Sequence, residues 1–262
     1  GTAIAISGAA ANPNMGYYTF SAAVIFLMVL FNIRLGWWLG NTGLRGKDTW
    51  QLSNPYWSPK IFLAEALGRT TDENKYINLS DGGHFDNLGL YEMVLRRCHL
   101  IVICDVGADS SFSFSDFATA IHKIRVDFGI SIEFEKENEP KEGVNCAVGE
   151  IKYKDVDGSS AKNGTIIYLK PTLDGNEPID LINYKKRNSE FPHETTADQF
   201  FGETQFESYR TLGFHQINSV CDGGVENNPI CPNLPEIKKR AISYLRKMNE
   251  KNEKDEQEPK NV

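Results

Sequence analysis

The sequence predicts an α/β fold, a mainly parallel sheet flanked by helices, and three stretches carry that prediction. Residues 76–79, Tyr-Ile-Asn-Leu, read as a short strand. The strand breaks at Asp81-Gly82-Gly83 and passes from about Asn87 into a helix with Leu88, Tyr91, Val94 and Leu95 on one face. Residues 99–104 form a continuous apolar run, which suits a central parallel strand covered on both faces. Residues 115–128 place Phe117, Ala120, Ile121, Ile124 and Phe128 on one helical face, with Ser115-Asp116 as the expected cap and Gly129 as the stop. A further strand follows at 130–134. The order strand, helix, strand, helix, strand indicates a parallel sheet with right-handed crossovers, in which the strands at 76–79 and 100–104 are neighbours.

The remaining elements are read in chain order. Residues 3–6 are an apolar Ala-Ile-Ala-Ile run that reads as a buried strand. Residues 20–31 are strongly apolar, and three readings stand open: a buried core helix, an interfacial helix and a spanning helix. Asn32 and Arg34 interrupt the run well short of the roughly 20 apolar residues a span needs, while Trp37 and Trp38 suit a headgroup boundary. A Gly/Pro/Asn-rich connection leads to a short helix at 59–67 with Gly68 as its stop. Residues 147–154 and 165–170 alternate like a β-hairpin at the sheet edge. Helices are expected at 178–186, 197–212 and 234–248. The charged tail, 249–262, has no apolar face and is expected to be disordered. Residues 1–248 are thus read as one domain.

Composition narrows the function. The chain has 262 residues, 40% hydrophobic and 24% charged, which excludes wholesale disorder. A net charge of −7 argues against a general affinity for nucleic acid. Five cysteines without a small-scaffold spacing point to a reducing compartment, cytoplasmic or at a membrane surface. Cys98 and Cys104 flank the apolar strand and read as buried thiols. Cys221 and Cys231 can pair or bind metal, but no second pair completes a zinc site, so no metal or other cofactor is expected. No secretory signal is visible. The chain enters at once into an apolar run, which reads as a piece of a larger protein.

The leading site residue is Asp81. It stands where a strand ends and a helix begins, in the crevice where open α/β sheets bind ligands. Gly82 and Gly83 beside it permit positive φ and close backbone approach. A second Asp-Gly-Gly at Asp222 follows no predicted strand and reads as a turn. Asp105 is another carboxylate at a strand's carboxyl end, read as a capped turn ahead of a helper base or metal ligand. Ser7 sits on an apparent strand-turn, but its flanks are Ala5 and Ala9, where a nucleophile elbow wants glycine on both sides. His193, beside a proline, is read as an ordinary loop histidine.

The flanks of Asp81 add a resemblance. Ser80-Asp81-Gly82-Gly83-His84-Phe85-Asp86-Asn87-Leu88-Gly89 resembles the segment around the catalytic aspartate of patatin-like phospholipases and of the related cytosolic phospholipase A2 group. Ile6-Ser7-Gly8-Ala9-Ala10-Ala11-Asn12-Pro13-Asn14-Met15-Gly16 is similar to a block of the bacterial branch of that family. So is Phe191-Pro192-His193-Glu194-Thr195-Thr196-Ala197-Asp198-Gln199-Phe200, continuing to Tyr209-Arg210. The resemblance implies a lipid acyl hydrolase with a Ser–Asp dyad, acting on a phospholipid or other lipid ester at a membrane surface, with Asp81 as the base. Gly-x-Ser-x-Gly occurs nowhere in this sequence. The resemblance therefore implies the carboxyl-terminal part of the catalytic domain, with serine and oxyanion loop supplied by an upstream half. The competing expectation is a non-catalytic lipid-binding or interaction module derived from an acyl hydrolase.

Overall fold

The computed structural model describes residues 2–13, 15, 20–56, 59–195, 198, 200–222 and 234–257. The chain divides into two compact units, residues 1–87 and 88–262, at a point where the sequence pattern sets no boundary.

The first unit contains α1 (Thr2–Ser7), α2 (Ala22–Leu30), β1 (Trp37–Gly40), α3 (Pro59–Ala66) and β2 (Tyr76–Leu79). Residues 3–6, expected as a strand, lie inside α1. Four apolar residues in a row fit either period, and the strand partners in this unit are β1 and β2, which pair only with each other as an antiparallel ribbon. Helix α2 buries Ile25 and Val29, one turn apart, against Ala66 of α3. Phe26, Leu27, Leu30 and Phe31 stay about half exposed or more. The helix gives way to Asn32, which takes a left-handed φ of 53°, and Arg34 then pairs with the buried Glu65 of α3. The apolar run therefore yields nine helical residues. Among the described residues no helix is long and apolar enough to cross a membrane. Trp37 and Trp38 belong to β1, and the Trp37 indole N–H donates to the Ser53 carbonyl at 2.7 Å.

The second unit runs α4 (Leu90–Leu95), β3 (Leu100–Cys104), α5 (Ser115–Phe128), β4 (Ile132–Phe134), β5 (Cys146–Ile151), α6 (Lys154–Asp157), β6 (Gly164–Leu169), α7 (Ile179–Arg187), α8 (Glu203–Asp222) and α9 (Leu234–Gln257). Its sheet has the order β3-β6-β5-β4. Only β3 and β6 are parallel; β6–β5 and β5–β4 are antiparallel. The sheet is thus mixed rather than mainly parallel, and β2 is not the neighbour of β3. Hydrophobic periodicity announces a strand but not its partner. Here the β5–β6 hairpin, expected at the edge, takes the centre, because its residues are apolar on both faces. β3 becomes an edge strand, and Val102 and Cys104, which point to one face of it, are exposed. The thiol of Cys98 is likewise only half-buried.

The period of two assigns the two faces. Ala147, Ile151, Ile166 and Tyr168 pack with Phe117, Ala120 and Ile124 of α5 and with Leu90 and Val94 of α4. Cys146, Val148 and Ile167 pack with Ala241, Tyr244, Leu245 and Met248 of α9. Each fully buried large aliphatic side chain contributes about 1.5–3 kcal/mol, so Ile124, Ile166 and Leu245, all within 1% of complete burial, fix both helices to the sheet. Gly129 stops α5 by adopting φ 68°, as expected of a C′ glycine. Helix α9 continues to Gln257, nine residues into the charged tail, and α8 begins at Glu203 and reaches Asp222. The second Asp-Gly-Gly therefore starts on a helix end, and its two glycines, like Cys231, lie outside the described residues.

Candidate functional site

Asp81 stands directly after Ser80, at the end of β2, and opens a short 3₁₀ turn, Gly82–His84. Its Oδ1 accepts from the Gly83 N–H at 2.8 Å, and its own N–H donates to the Ala9 carbonyl at 3.4 Å. Among the described residues nothing hydrogen-bonds to Oδ2. The carboxylate is half-buried, so one oxygen is fixed while the other remains available. Neither glycine uses positive φ; what they supply is space. A Cβ at Gly83 would collide with the Asn87 carboxamide oxygen, whereas one at Gly82 would meet nothing within 4 Å. The backbone at Gly82 is thus open to approach.

Two side chains that the sequence reading passed over hold this turn in place. His84 Nε2 lies 2.9 Å from the Ala10 carbonyl, and its Nδ1 lies 3.4 Å from Ser80 Oγ. A carbonyl can only accept, so Nε2 carries the proton and Ser80 donates to Nδ1. The Asn12 side-chain amide donates to Asn78 Oδ1 at 2.9 Å and to the Leu35 carbonyl at 3.0 Å. The segment after α1 is therefore tied at three points to β2 and the turn that follows it. Ser7 is the exposed last residue of α1 and not part of a strand-turn-helix elbow.

Asp105 follows β3 and makes the same local turn: its Oδ1 accepts from the Gly107 N–H at 3.0 Å. Its second oxygen is fully engaged. Tyr168 Oη donates to Oδ2 at 2.5 Å, and Lys170 Nζ lies 3.1 Å away. Lys170 also faces Asp109 Oδ2 at 3.7 Å. Asp105, Tyr168 and Lys170 are each at most 3% exposed. Burial, then the bond to Asp105, pushes the Tyr168 phenol far above its ordinary value, so it stays protonated and donating. Burial works against charge on Asp109, but N–H donors from Ser113 and Phe114, the Ser113 hydroxyl and Lys170 together hold its carboxyl below the usual range. The Asp109 carboxylate accepts the N–H groups of Ser113 and Phe114, just ahead of α5; the N-cap of the helix is Phe114, in a left-handed conformation and without a side-chain cap, so the expected cap Ser115-Asp116 stands inside the helix. Parallel pairing explains the cluster: Cys104 stands opposite Leu169, and the Asp105 N–H donates to the Leu169 carbonyl at 2.9 Å, which brings Asp105 between Tyr168 and Lys170. A Tyr-x-Lys pair at a strand end is visible in the sequence; only the register shows that it meets Asp105.

His193 is 8% exposed, and neither ring nitrogen has a hydrogen-bond partner of acceptable geometry. An unpaired buried polar group costs about 1–3 kcal/mol, so this is not an ordinary loop histidine. Burial, then Lys170, pushes its pKa below the usual value, against smaller opposing effects of Asp109 and the Gly107 backbone.

A cavity of about 830 Å³ lies between α7 and α8 and is lined by residues such as Asp180, Tyr184, Phe206 and Ser208. It includes none of the sequence-predicted site residues. Among the described residues no group of three His, Cys, Asp or Glu side chains is placed to hold a metal ion. Asp81 and Asp105 end strands of different sheets.

No family model, curated protein or solved structure matches this chain.

Proposed function

We propose that this chain belongs to a lipid acyl hydrolase of the patatin-like type, with Asp81 as the general base of a Ser–Asp dyad. The observation that carries this reading is the half-engaged carboxylate: Oδ1 is fixed by Gly83 while Oδ2 is free among the described residues. A base needs that combination, an oriented carboxylate with one lone pair facing a hydroxyl. The open backbone at Gly82 leaves room for a nucleophile-bearing turn. No elbow serine occurs in these 262 residues, so the nucleophile comes from polypeptide outside them. In the reaction the serine Oγ attacks the ester carbonyl carbon as its proton passes to Asp81 Oδ2. The tetrahedral intermediate collapses, the alcohol leaves with that proton, and water then hydrolyses the acyl-enzyme with Asp81 again accepting a proton. A lipid substrate is supported by the apolar side chains that α2 and its C-cap leave exposed, Phe26, Leu27, Leu30 and Phe31, which suit a membrane surface.

A second reading, a non-catalytic lipid-binding module, is favoured by the missing elbow. One experiment separates the two: hydrolysis of a short-chain nitrophenyl ester by the full-length gene product and by its Asp81→Asn variant, with circular dichroism to confirm folding. Loss of about 10²–10⁴-fold is the size of a general-base contribution. Asp222→Asn serves as the control and should leave the rate unchanged. Wild-type rate in Asp81→Asn, or an inactive full-length protein, removes the hydrolase reading.

A further inference from the structure

Helices α2 and α3 pack on each other through Ile25, Val29 and Ala66, and both leave an apolar face uncovered. Every residue of α2 is apolar, yet only Ile25 and Val29 are buried. Helix α3 buries Glu65 and Ala66. On its other side Lys60, Leu63 and Leu67, spaced by three and four residues, share one face. All three are exposed, the two leucines by more than half. A surface helix ordinarily turns its polar side to water and its apolar stripe inward. Here the outer side is apolar as well, with a lysine on it.

Charge follows the same surface. Residues 20–69 hold five basic and two acidic residues, a net of +3, in a chain of net −7, so the remaining residues carry −10. Both carboxylates of this stretch are engaged: Glu65 is buried and pairs with Arg34, and Asp48 faces Lys75 at 3.7 Å. Arg45, Lys47, Lys60 and Arg69 are exposed, and among the described residues none of them has an ion-pair partner. Lys60 and Arg69 stand at the two ends of α3.

We propose that the outer faces of α2 and α3 dock the protein on a phospholipid bilayer that contains anionic lipid, with the exposed apolar side chains entering the headgroup boundary and Lys60 and Arg69 meeting the anionic headgroups.

The cations decide the occupant. The core of a protein–protein interface is depleted of charge, and of lysine in particular, whereas Lys60 lies on the apolar face itself. A bilayer surface takes that combination. Apolar side chains reach the acyl boundary, while basic side chains lay their stems along it and keep their charges at headgroup level. A zwitterionic surface offers these cations no net counter-charge, and an anionic one does. The nine residues of α2 rise only about 14 Å, half of a hydrocarbon core of about 30 Å, so the helix lies on the surface. This inference deepens the lipid-hydrolase reading and rests on it for the purpose of docking.

The test sediments the full-length gene product with vesicles of phosphatidylcholine alone and with vesicles containing about 30% phosphatidylglycerol. One cation near an anionic surface contributes about fivefold in partitioning. Binding should therefore be at least ~10-fold tighter with phosphatidylglycerol. Salt at about 1 M, where the Debye length is about 3 Å, should erase the difference. Lys60→Gln with Arg69→Gln should cost at least ~10-fold on the anionic vesicles and leave binding to phosphatidylcholine unchanged. Leu63→Ser with Leu67→Ser should weaken binding to both. All four positions are exposed, and circular dichroism checks each fold; if the serine variant does not fold, the glutamine variant decides alone. Absence of binding, indifference to phosphatidylglycerol, or an undiminished preference in the glutamine variant overturns the proposal. So does a second copy on this face, seen in sedimentation velocity as a dimer that Leu63→Ser with Leu67→Ser dissociates. Hydrolysis of the soluble nitrophenyl ester needs no bilayer, so failure of docking leaves the Asp81 assignment standing, and an inactive protein that still docks leaves this inference standing.

Discussion

Replacing Lys170 by methionine tests whether Asp105 is a structural carboxylate. Methionine keeps the length of the stem but removes the only cation facing Asp105 Oδ2 among the described residues, at 3.1 Å, and the Asp109 contact at 3.7 Å. Both partners of the first pair are nearly inaccessible, with side chains 3% and 4% exposed. Removing one member of such a pair leaves an uncompensated buried charge, which costs about 3–5 kcal/mol. For a unit of this size each kcal/mol lowers Tm by about 2–4 °C, so a fall of roughly 6–20 °C is expected. Tyr168→Phe removes a single hydrogen bond to a charged acceptor and should cost less, about 1.5–3 kcal/mol.

The assay is thermal and urea unfolding followed by far-UV circular dichroism. Tryptophan fluorescence is unsuitable, because all four tryptophans lie in residues 1–87. The decisive measurement is the double variant. If the cost of Lys170→Met is the stranded charge, Asp105→Asn in the same chain should recover about 1–3 kcal/mol, a normal coupling for contacting residues. A loss below about 1 kcal/mol for Lys170→Met, or strict additivity with Asp105→Asn, refutes the reasoning and returns Asp105 to the list of reactive carboxylates.

Three further outcomes are expected. Gly83→Ala should destabilise by no more than about 1 kcal/mol, because the Cβ meets the far end of the exposed Asn87 side chain, which can turn aside, while Gly82→Ala should stay within about 0.5 kcal/mol; urea midpoints of the two variants compare them directly. His193 and Asp109 both have lowered pKa values, so in each case the unfolded chain takes up protons first as pH falls. Stability contributed by His193 is complete above about pH 6.5 and declines as pH falls through its lower folded value; that of Asp109 is lost at lower pH still, below its ordinary value of about 3.9. Urea midpoints from pH 8 to 3 should therefore fall in two windows, and His193→Gln should flatten only the first. Phe26→Ser with Phe31→Ser, both at exposed positions, should reduce co-sedimentation with phosphatidylcholine vesicles while leaving the circular dichroism spectrum unchanged; undiminished binding would remove α2 as the lipid contact.

How legible the fold was depended on how far each residue pattern reached. Helix α5 is readable in its buried face and its end, because Phe117, Ala120 and Ile124 set its period and Gly129 marks its stop, but not in its start, where Phe114 and not Ser115-Asp116 is the N-cap. The strands at 76–79 and 100–104 are equally plain as strands. Their partners are not, since pairing is decided by residues far along the chain: β6 takes the place beside β3, and β1 takes β2. Residues 3–6 show the opposite failure, a pattern too short to distinguish a strand from the helix that forms. At the site, Asp81 and its glycines are local and were visible. The partners of Asp105 come from β6, about 60 residues on, and the bare nitrogens of His193 are a property of packing alone.

The two strand-end aspartates show why a motif cannot by itself mark a reactive group. Asp81 and Asp105 make the same turn, Oδ1 to the N–H two residues on, at 2.8 and 3.0 Å. Up to that point sequence and backbone treat them alike. The difference lies in the second oxygen. At Asp105 it receives a phenol and an ammonium in a buried cluster, so any proton it accepted would displace bonds that hold β3 to β6. At Asp81 no such bond stands in the way among the described residues, and the neighbouring Gly82 leaves the approach clear. A base must be oriented by one set of contacts and left open on another. Among these two carboxylates only Asp81 meets both conditions. The chemistry proposed for it therefore rests on what its side chain lacks as much as on the glycines that follow it.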